Sequence, residues 1–294
     1  MSTRIRGCLV GGVLSLLLWP TMAQAMHLSD GFLPASWAGV WFLVAAPFVW
    51  WGLRTINRRR AADPCSLTMV ALVGSAIFVI SCMPVPIPWV GSCSHPCGTG
   101  LGALLIGPGP TIVVSSIALL LQALFLSHGG LTTLGADIVS MGIAGAVSAY
   151  AVFRLLRLVK VPVFAAAVCA GVISDWATYA TTSYQLASAH GDGNTLTMFL
   201  GVAVAFVPTQ LPLGIAEGVL TAIAYQFVLA RRPQLLAVGD GFAGESPFSP
   251  EAAIEEAPWD ASAPVVLPAA SLSRVGQRET SLAAGLQTIA GHDA

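Results

Sequence analysis

Lysine occurs once among the 294 residues, at Lys160, and Val161 follows it. A phosphate-cradling G-x-x-x-x-G-K-[ST] loop therefore cannot be built, and any ATP hydrolysis coupled to this chain belongs to another one. H-E-x-x-H and G-x-S-x-G are absent too, which removes two common hydrolase signatures. Charge of either sign is scarce. Asp, Glu, Lys and Arg make up 9% of the chain, against about a quarter in a soluble domain. With a net charge of -1, nothing offers nucleic acid a basic surface. No internal repeat is visible. Six cysteines (Cys8, Cys65, Cys82, Cys93, Cys97, Cys169) fall to five if a leader is removed, and an odd number argues against a complete disulfide framework.

What the chain has in abundance is apolar sequence, 55% of its residues. Residues 1–25 read as a cleaved signal peptide. Arg4 and Arg6 form the charged start, Cys8 to Trp19 the apolar run, and Ala23 and Ala25 the small residues before the cut. Residues 26–238 read as a transmembrane domain and 239–294 as a cytoplasmic tail, rich in Ala, Pro, Ser, Gly and Glu and largely disordered. Every Arg and Lys falls in a cluster, and the clusters alternate with apolar runs as the positive-inside rule requires. The predicted segments are 35–54, 66–83, 99–107, 111–127, 132–156, 162–187 and 196–230. The expected architecture is thus an all-α, polytopic membrane helix bundle of about seven segments, N-terminus outside and C-terminus cytoplasmic. The stretch 84–98 holds too many prolines for a helix. Segment 99–107 is too short to cross a bilayer alone, which makes it a re-entrant or buried helix suited to supporting a site at the outer face. Pro208 and Pro212 are expected to kink the last segment.

Cleavage after Ala25 makes Met26 the first residue and His27 the second. A free α-amine, the next amide nitrogen and the imidazole of residue two close adjoining five- and six-membered chelate rings. Three nearly coplanar nitrogens suit Ni²⁺, Cu²⁺ or low-spin Co²⁺ rather than Mg²⁺ or Ca²⁺. The bland alternative is a signal peptide that is only an address.

His27, His95, His128 and His190 all map to the outer face under this topology. Three sit in tight Gly- and Ser/Thr-rich contexts that suit inward packing. Asp137, Asp175 and Glu217 lie at membrane depth, where carboxylates are costly and are functional candidates. Asp137, near the start of its helix, is either a cap-like structural group or a support for metal ligands. Glu217 reads as stabilising a kinked helix or a subunit contact. Cys93-Ser-His95-Pro-Cys97 is a conceivable thiolate site that lacks a fourth ligand.

Four motifs carry a resemblance. Met26-His-Leu-Ser-Asp-Gly-Phe-Leu-Pro34, Gly91-Ser-Cys-Ser-His-Pro-Cys-Gly-Thr-Gly-Leu-Gly102, Gln122-Ala-Leu-Phe-Leu-Ser-His-Gly-Gly-Leu-Thr-Thr-Leu-Gly135 and Ile215-Ala-Glu-Gly-Val-Leu-Thr221 closely resemble the CbiM/NikM family over about residues 26–232. Its members are metal-binding membrane subunits of energy-coupling-factor transporters for cobalt and nickel. The resemblance implies that the metal is held by the amine of Met26, the backbone nitrogen and imidazole of His27, and His95; Ser94, His128 and Asp137 are the candidates for supporting these ligands. The Ser-His-Pro and Ser-His-Gly-Gly-Leu-Thr-Thr forms look like the cobalt branch, so Co²⁺ is the expected cargo, with Ni²⁺ the alternative. Also implied are an ABC-type complex in the cell inner membrane that supplies cobalt for cobalamin biosynthesis. Its other parts would be a membrane coupling subunit, cytoplasmic ATPase subunits and a small accessory membrane subunit. Two positions depart from the family pattern, Cys97 where Thr is usual and Asp137 where Asn is usual. The rival readings are an integral-membrane metalloenzyme using His95, His128, Asp137 and Glu217, and a metal sensor whose tail signals.

Overall fold

The computed structural model describes Leu28, residues 30–83, 85–87 and 92–231. The leader 1–25, Met26, His27 and the 239–294 tail lie outside the described residues.

Apolar runs bounded by Pro, Gly or Arg form seven helical segments where the pattern predicts them. α1 (Ala35–Ala62) begins behind Pro34 and carries Arg59 and Arg60 in its last turn. Asp63 starts α2 (Ser66–Ser81): its Oδ1 accepts the Cys65 N–H at 2.9 Å and its carbonyl accepts the Ser66 hydroxyl at 2.6 Å. The proline-rich stretch that follows is non-helical, as expected. It holds a two-stranded antiparallel hairpin, β1 (Val85–Ile87) against β2 (Ser92–Ser94), with Val85 opposite Ser94. Next come α3 (Thr99–Ile106), α4 (Pro108–Phe125), α5 (Leu134–Leu158), α6 (Val163–His190) and α7 (Thr195–Arg231).

Five helices (α1, α4, α5, α6 and α7) are long and apolar enough to cross a membrane. α2, with 16 residues, is shorter. Large apolar side chains such as Leu43 on α1 and Val204 and Phe227 on α7 are exposed, the surface a bundle presents to lipid rather than to water. The chain is a multi-pass membrane protein.

α3 has eight residues, about 12 Å at 1.5 Å per residue, so it does not span. All of it except Leu101 is buried. Gly98 (φ +69°) and Gly107 (φ +78°) bracket it, each with a positive φ that a side chain would strain. Arg59 of α1 donates from Nη1 to the Ile106 carbonyl at 2.5 Å, closing the C-terminal end of the short helix.

α5 departs from the simple expectation. A first α-turn (Leu134–Asp137) passes into a π-helical stretch (Ile138–Gly145) before α-geometry resumes at Ala146. One carbonyl just before it and one at its last residue are taken up by α6. Gln185 Nε2 donates to Ala136 O at 2.9 Å and the Ser174 hydroxyl to Gly145 O at 3.0 Å. Such insertions are frequent at functional sites.

α6 and α7 pack along one another over the most extensive helix–helix contact among the described residues. A Cβ added at Gly171 would come within 2.7 Å of the Gly218 Cα, so small residues set this approach. Pro208 and Pro212 both lie inside α7, and neither ends it.

Candidate metal centre

His95 sits between β2 and α3 and is fully buried. Its backbone is gripped by one side chain of α6: the Tyr179 hydroxyl donates to His95 O at 3.0 Å, and His95 N–H points back to the Tyr179 oxygen at 3.4 Å. The ring orientation is set locally. His95 Nδ1 lies 2.9 Å from the Pro96 carbonyl. A carbonyl only accepts, so Nδ1 carries the proton and Nε2 is left as the lone-pair nitrogen. Burial, more than any neighbour, pushes this imidazole down to about 4, against the weaker opposing pull of the Pro96 bond. His95 is therefore neutral at physiological pH, with Nε2 in the form a metal requires and Nδ1 held by a carbonyl, the usual arrangement for a ligating histidine.

The loop itself is fastened from α7. Glu217 accepts the Cys97 N–H at 2.7 Å through Oε2 and the Gly98 N–H at 2.8 Å through Oε1. These are the amides leading into α3, where an anion is favoured. Ser94 is buried, and Gln210 Nε2 donates to its hydroxyl. Trp176 Nε1 in turn donates to the Gln210 carbonyl at 3.1 Å. Three helix-borne groups thus hold residues 94–98: Tyr179 from α6, and Gln210 and Glu217 from α7.

His128 follows α4, where its N–H donates to Gln122 O at 3.1 Å and Ser127 adopts φ +50°. Its ring centroid is 5.3 Å from that of His95. Burial lowers its pKa too. His190, by contrast, is exposed and packs edge-on against Phe32.

The N-terminal segment is clasped by the α4–α5 loop. Asp137 Oδ1 accepts the Leu28 N–H at 3.1 Å, and the Thr133 hydroxyl donates to Leu28 O. Asp30 Oδ1 accepts both the Thr132 N–H (2.8 Å) and its hydroxyl (2.7 Å), bonds that hold the Asp30 carboxyl below its ordinary range. Asp137 makes no helix-cap bond. Its partner is the residue directly after His27.

The structure thus brings His95 and His128 together, sets Ser94 in the same loop, and joins Asp137 to the start of the described chain. Met26 and His27 lie outside the described residues, as does the Cys93 side chain. Two assignments change. Glu217 neither props a kinked helix nor faces a subunit, because its carboxylate holds the His95 loop. The Cys97 thiol is buried and turned to Asp175, with Sγ 3.9 Å from Oδ1, rather than standing as an outer-face ligand. Asp30, Tyr179 and Gln210 went unassigned in the sequence, although a Tyr and a Gln inside apolar runs were the signal available.

The CbiM family model, described as the cobalt uptake substrate-specific transmembrane region, matches residues 27–235. The chain belongs to the CbiM family. It is 56% identical over 212 residues to the cobalt transport protein CbiM of Sorangium cellulosum (strain So ce56), a match covering 72% of this chain and 94% of that one. To the CbiM protein of Geobacter sulfurreducens it is 48% identical over 226 residues, which cover 76% of this chain and 65% of the relative. The crystal structure of a truncated transition metal transporter superposes with a TM-score of 0.62 at 25% identity, covering 69% of this chain and 98% of that one. CbiM proteins are transport components rather than enzymes, so the metalloenzyme reading is set aside.

Proposed function

We propose that this chain captures Co²⁺ at the outer face of the inner membrane as the substrate-specificity subunit of an energy-coupling-factor, ABC-type importer that supplies cobalt for cobalamin biosynthesis. The observation that carries this reading is the pairing of a neutral, pre-oriented His95 with the Asp137–Leu28 bond. The preceding residue, His27, has its Cα about 3.8 Å from that of Leu28, so the clasp fixes the backbone next to the second residue of a chain cleaved after Ala25.

In this reading the Met26 amine, the His27 amide nitrogen and Nδ1, and His95 Nε2 form a square of four nitrogens. That geometry suits Co²⁺, with Ni²⁺ as the alternative, and rejects hard ions by ligand type. His128 and Asp137 stand behind the ligands rather than among them. Capture releases protons from the amine and the amide. Turnover by cytoplasmic ATPase subunits, passed through a membrane coupling subunit and aided by a small accessory subunit, then distorts the site, and the N-terminal strand peels away to free the ion inward.

Cobalt uptake by cells carrying the complete transporter tests this. His95→Ala abolishes uptake while the protein still inserts. One Ala inserted between Ala25 and Met26 does the same, because it moves His27 to the third position while keeping every side chain. Normal uptake by either variant contradicts the assignment.

A further inference from the structure

Cys97, Asp175 and Glu217 meet inside the bundle at the start of α3, and the chelate uses none of their side chains as ligands. One ligand atom from each lies within 4.8 Å of the other two, and all three residues are buried. Cys97 Sγ faces Asp175 Oδ1 at 3.9 Å. Asp175 Oδ2 is enclosed and has no hydrogen-bond partner among the described residues. Space is kept for it: a Cβ added at Gly214 would come within 2.9 Å of this oxygen. Each Glu217 oxygen accepts one backbone N–H and keeps a further lone pair. A buried carboxyl oxygen left without a donor is a costly feature for packing alone to retain.

The cluster also lies on a path. Asp175 and Tyr179 are four residues apart on one face of α6, about 6 Å along the axis, and Tyr179 is the residue that grips His95. Asp175 is therefore one turn farther from the His190 end of α6. Beside it, Thr99 Oγ1 lies 3.2 Å from Ser174 Oγ, and the Ser174 hydroxyl donates to Gly145 O at 3.0 Å.

We propose that Cys97, Asp175 and Glu217 form a second divalent-cation site, at the inner end of the loop that carries His95, that holds the transported Co²⁺ in transit after it leaves the four-nitrogen chelate. The transit role rests on His95 being a ligand for the cargo, whereas the binding site itself does not. Binding releases the Cys97 proton, and the resulting thiolate with two carboxylates favours a borderline transition ion over Mg²⁺ or Ca²⁺. Metal–ligand bonds of about 2.0–2.3 Å place tetrahedral ligands roughly 3.5 Å apart, so the cluster needs only a small contraction. Glu217 is both loop anchor and ligand, so an ion bound there pulls on the amides of Cys97 and Gly98 and thereby on the loop that carries His95.

The test is Co²⁺ titration of the purified full-length protein, followed by sulfur-to-cobalt charge-transfer absorption and by cobalt X-ray absorption. The native protein gains a Co–S shell near about 2.3 Å at the second equivalent of metal and not at the first. Cys97→Ser removes the sulfur signal and keeps the first equivalent. Cys93→Ser keeps both. Asp175→Asn weakens the second equivalent at least about tenfold, the lower end of what even an outer-shell partner contributes. Native protein without a Co–S shell at two equivalents, or a Cys97→Ser variant that keeps it, overturns the proposal. His95→Ala separates the two readings: it abolishes tight binding of the first equivalent and leaves the sulfur signal in place. Unchanged first-equivalent binding in that variant contradicts the chelate without touching the second site.

Discussion

Glu217 of α7 and Cys97 at the start of α3 are joined by a 2.7 Å bond from the Cys97 amide to the Glu217 carboxylate, across 120 positions of sequence. With the companion bond to Gly98 at 2.8 Å, it makes one buried side chain the anchor for the loop that presents His95. Glu217→Ala leaves two buried amides without acceptors, each costing about 1–3 kcal/mol. We expect a clearly lower thermal midpoint in detergent and weaker Co²⁺ binding. Glu217→Gln keeps one oxygen and should fall between. A Glu217→Ala protein with native stability and affinity would show that the bonds hold nothing.

The Asp137–Leu28 bond predicts a split between two substitutions. Asp137→Asn retains an oxygen acceptor for the Leu28 amide and should bind Co²⁺ within a few-fold of the native protein. Asp137→Ala removes the acceptor and should weaken binding by about 10- to 100-fold, the range for groups that orient metal ligands. Isothermal titration of both variants checks this, and equal losses would point to the charge rather than the bond.

Tyr179→Phe deletes the hydroxyl that both donates to and accepts from the His95 backbone. Each bond contributes about 1 kcal/mol net. Removing them should chiefly raise the rate of Co²⁺ loss, measured by chelator competition, and leave the ligand set and the optical spectrum of the bound metal unchanged. An altered spectrum would mean that Tyr179 shapes the coordination itself.

Two effects of pH separate cleanly. His95 has its folded value near 4, below its ordinary value of 6.5. The stability it contributes as a neutral buried group is therefore complete above about pH 6.5 and is lost as pH falls from there towards 4. Thermal midpoints across that window should decline, and less steeply in His95→Gln. Metal binding should fail earlier, because the Met26 amine, ordinarily near 7.7–8.0, takes up protons first. Affinity for Co²⁺ that stays constant down to pH 5 would argue against an amine ligand.

The helices were legible in the sequence because lipid enforces a simple rule: apolar runs ended by Arg, Pro or Gly become helices. Even α3, too short to span, showed itself between Gly98 and the Gly107-Pro108 pair. The π stretch of α5 did not, since Ile138–Gly145 is almost wholly apolar, broken only by Ser140, and no periodicity marks the wider turn. At the site, His95 and His128 stood out by type and context. Glu217, Gln210 and Tyr179 did not reveal their partners, because a side chain that serves a backbone amide or hydroxyl more than 80 positions away leaves no local signature. Asp137 was visible as a costly carboxylate, but its link to Leu28 depends on how the N-terminal segment folds back over the α4–α5 loop.

The central claim is that proteolysis creates the metal site, and the most direct measurement is intact mass with N-terminal sequencing of the purified protein, paired with its metal content after growth with Co²⁺ and Ni²⁺. The account predicts a chain that begins at Met26 and carries tightly bound cobalt. A chain that begins at Met1, or anywhere else, and still binds Co²⁺ with the same affinity would contradict it.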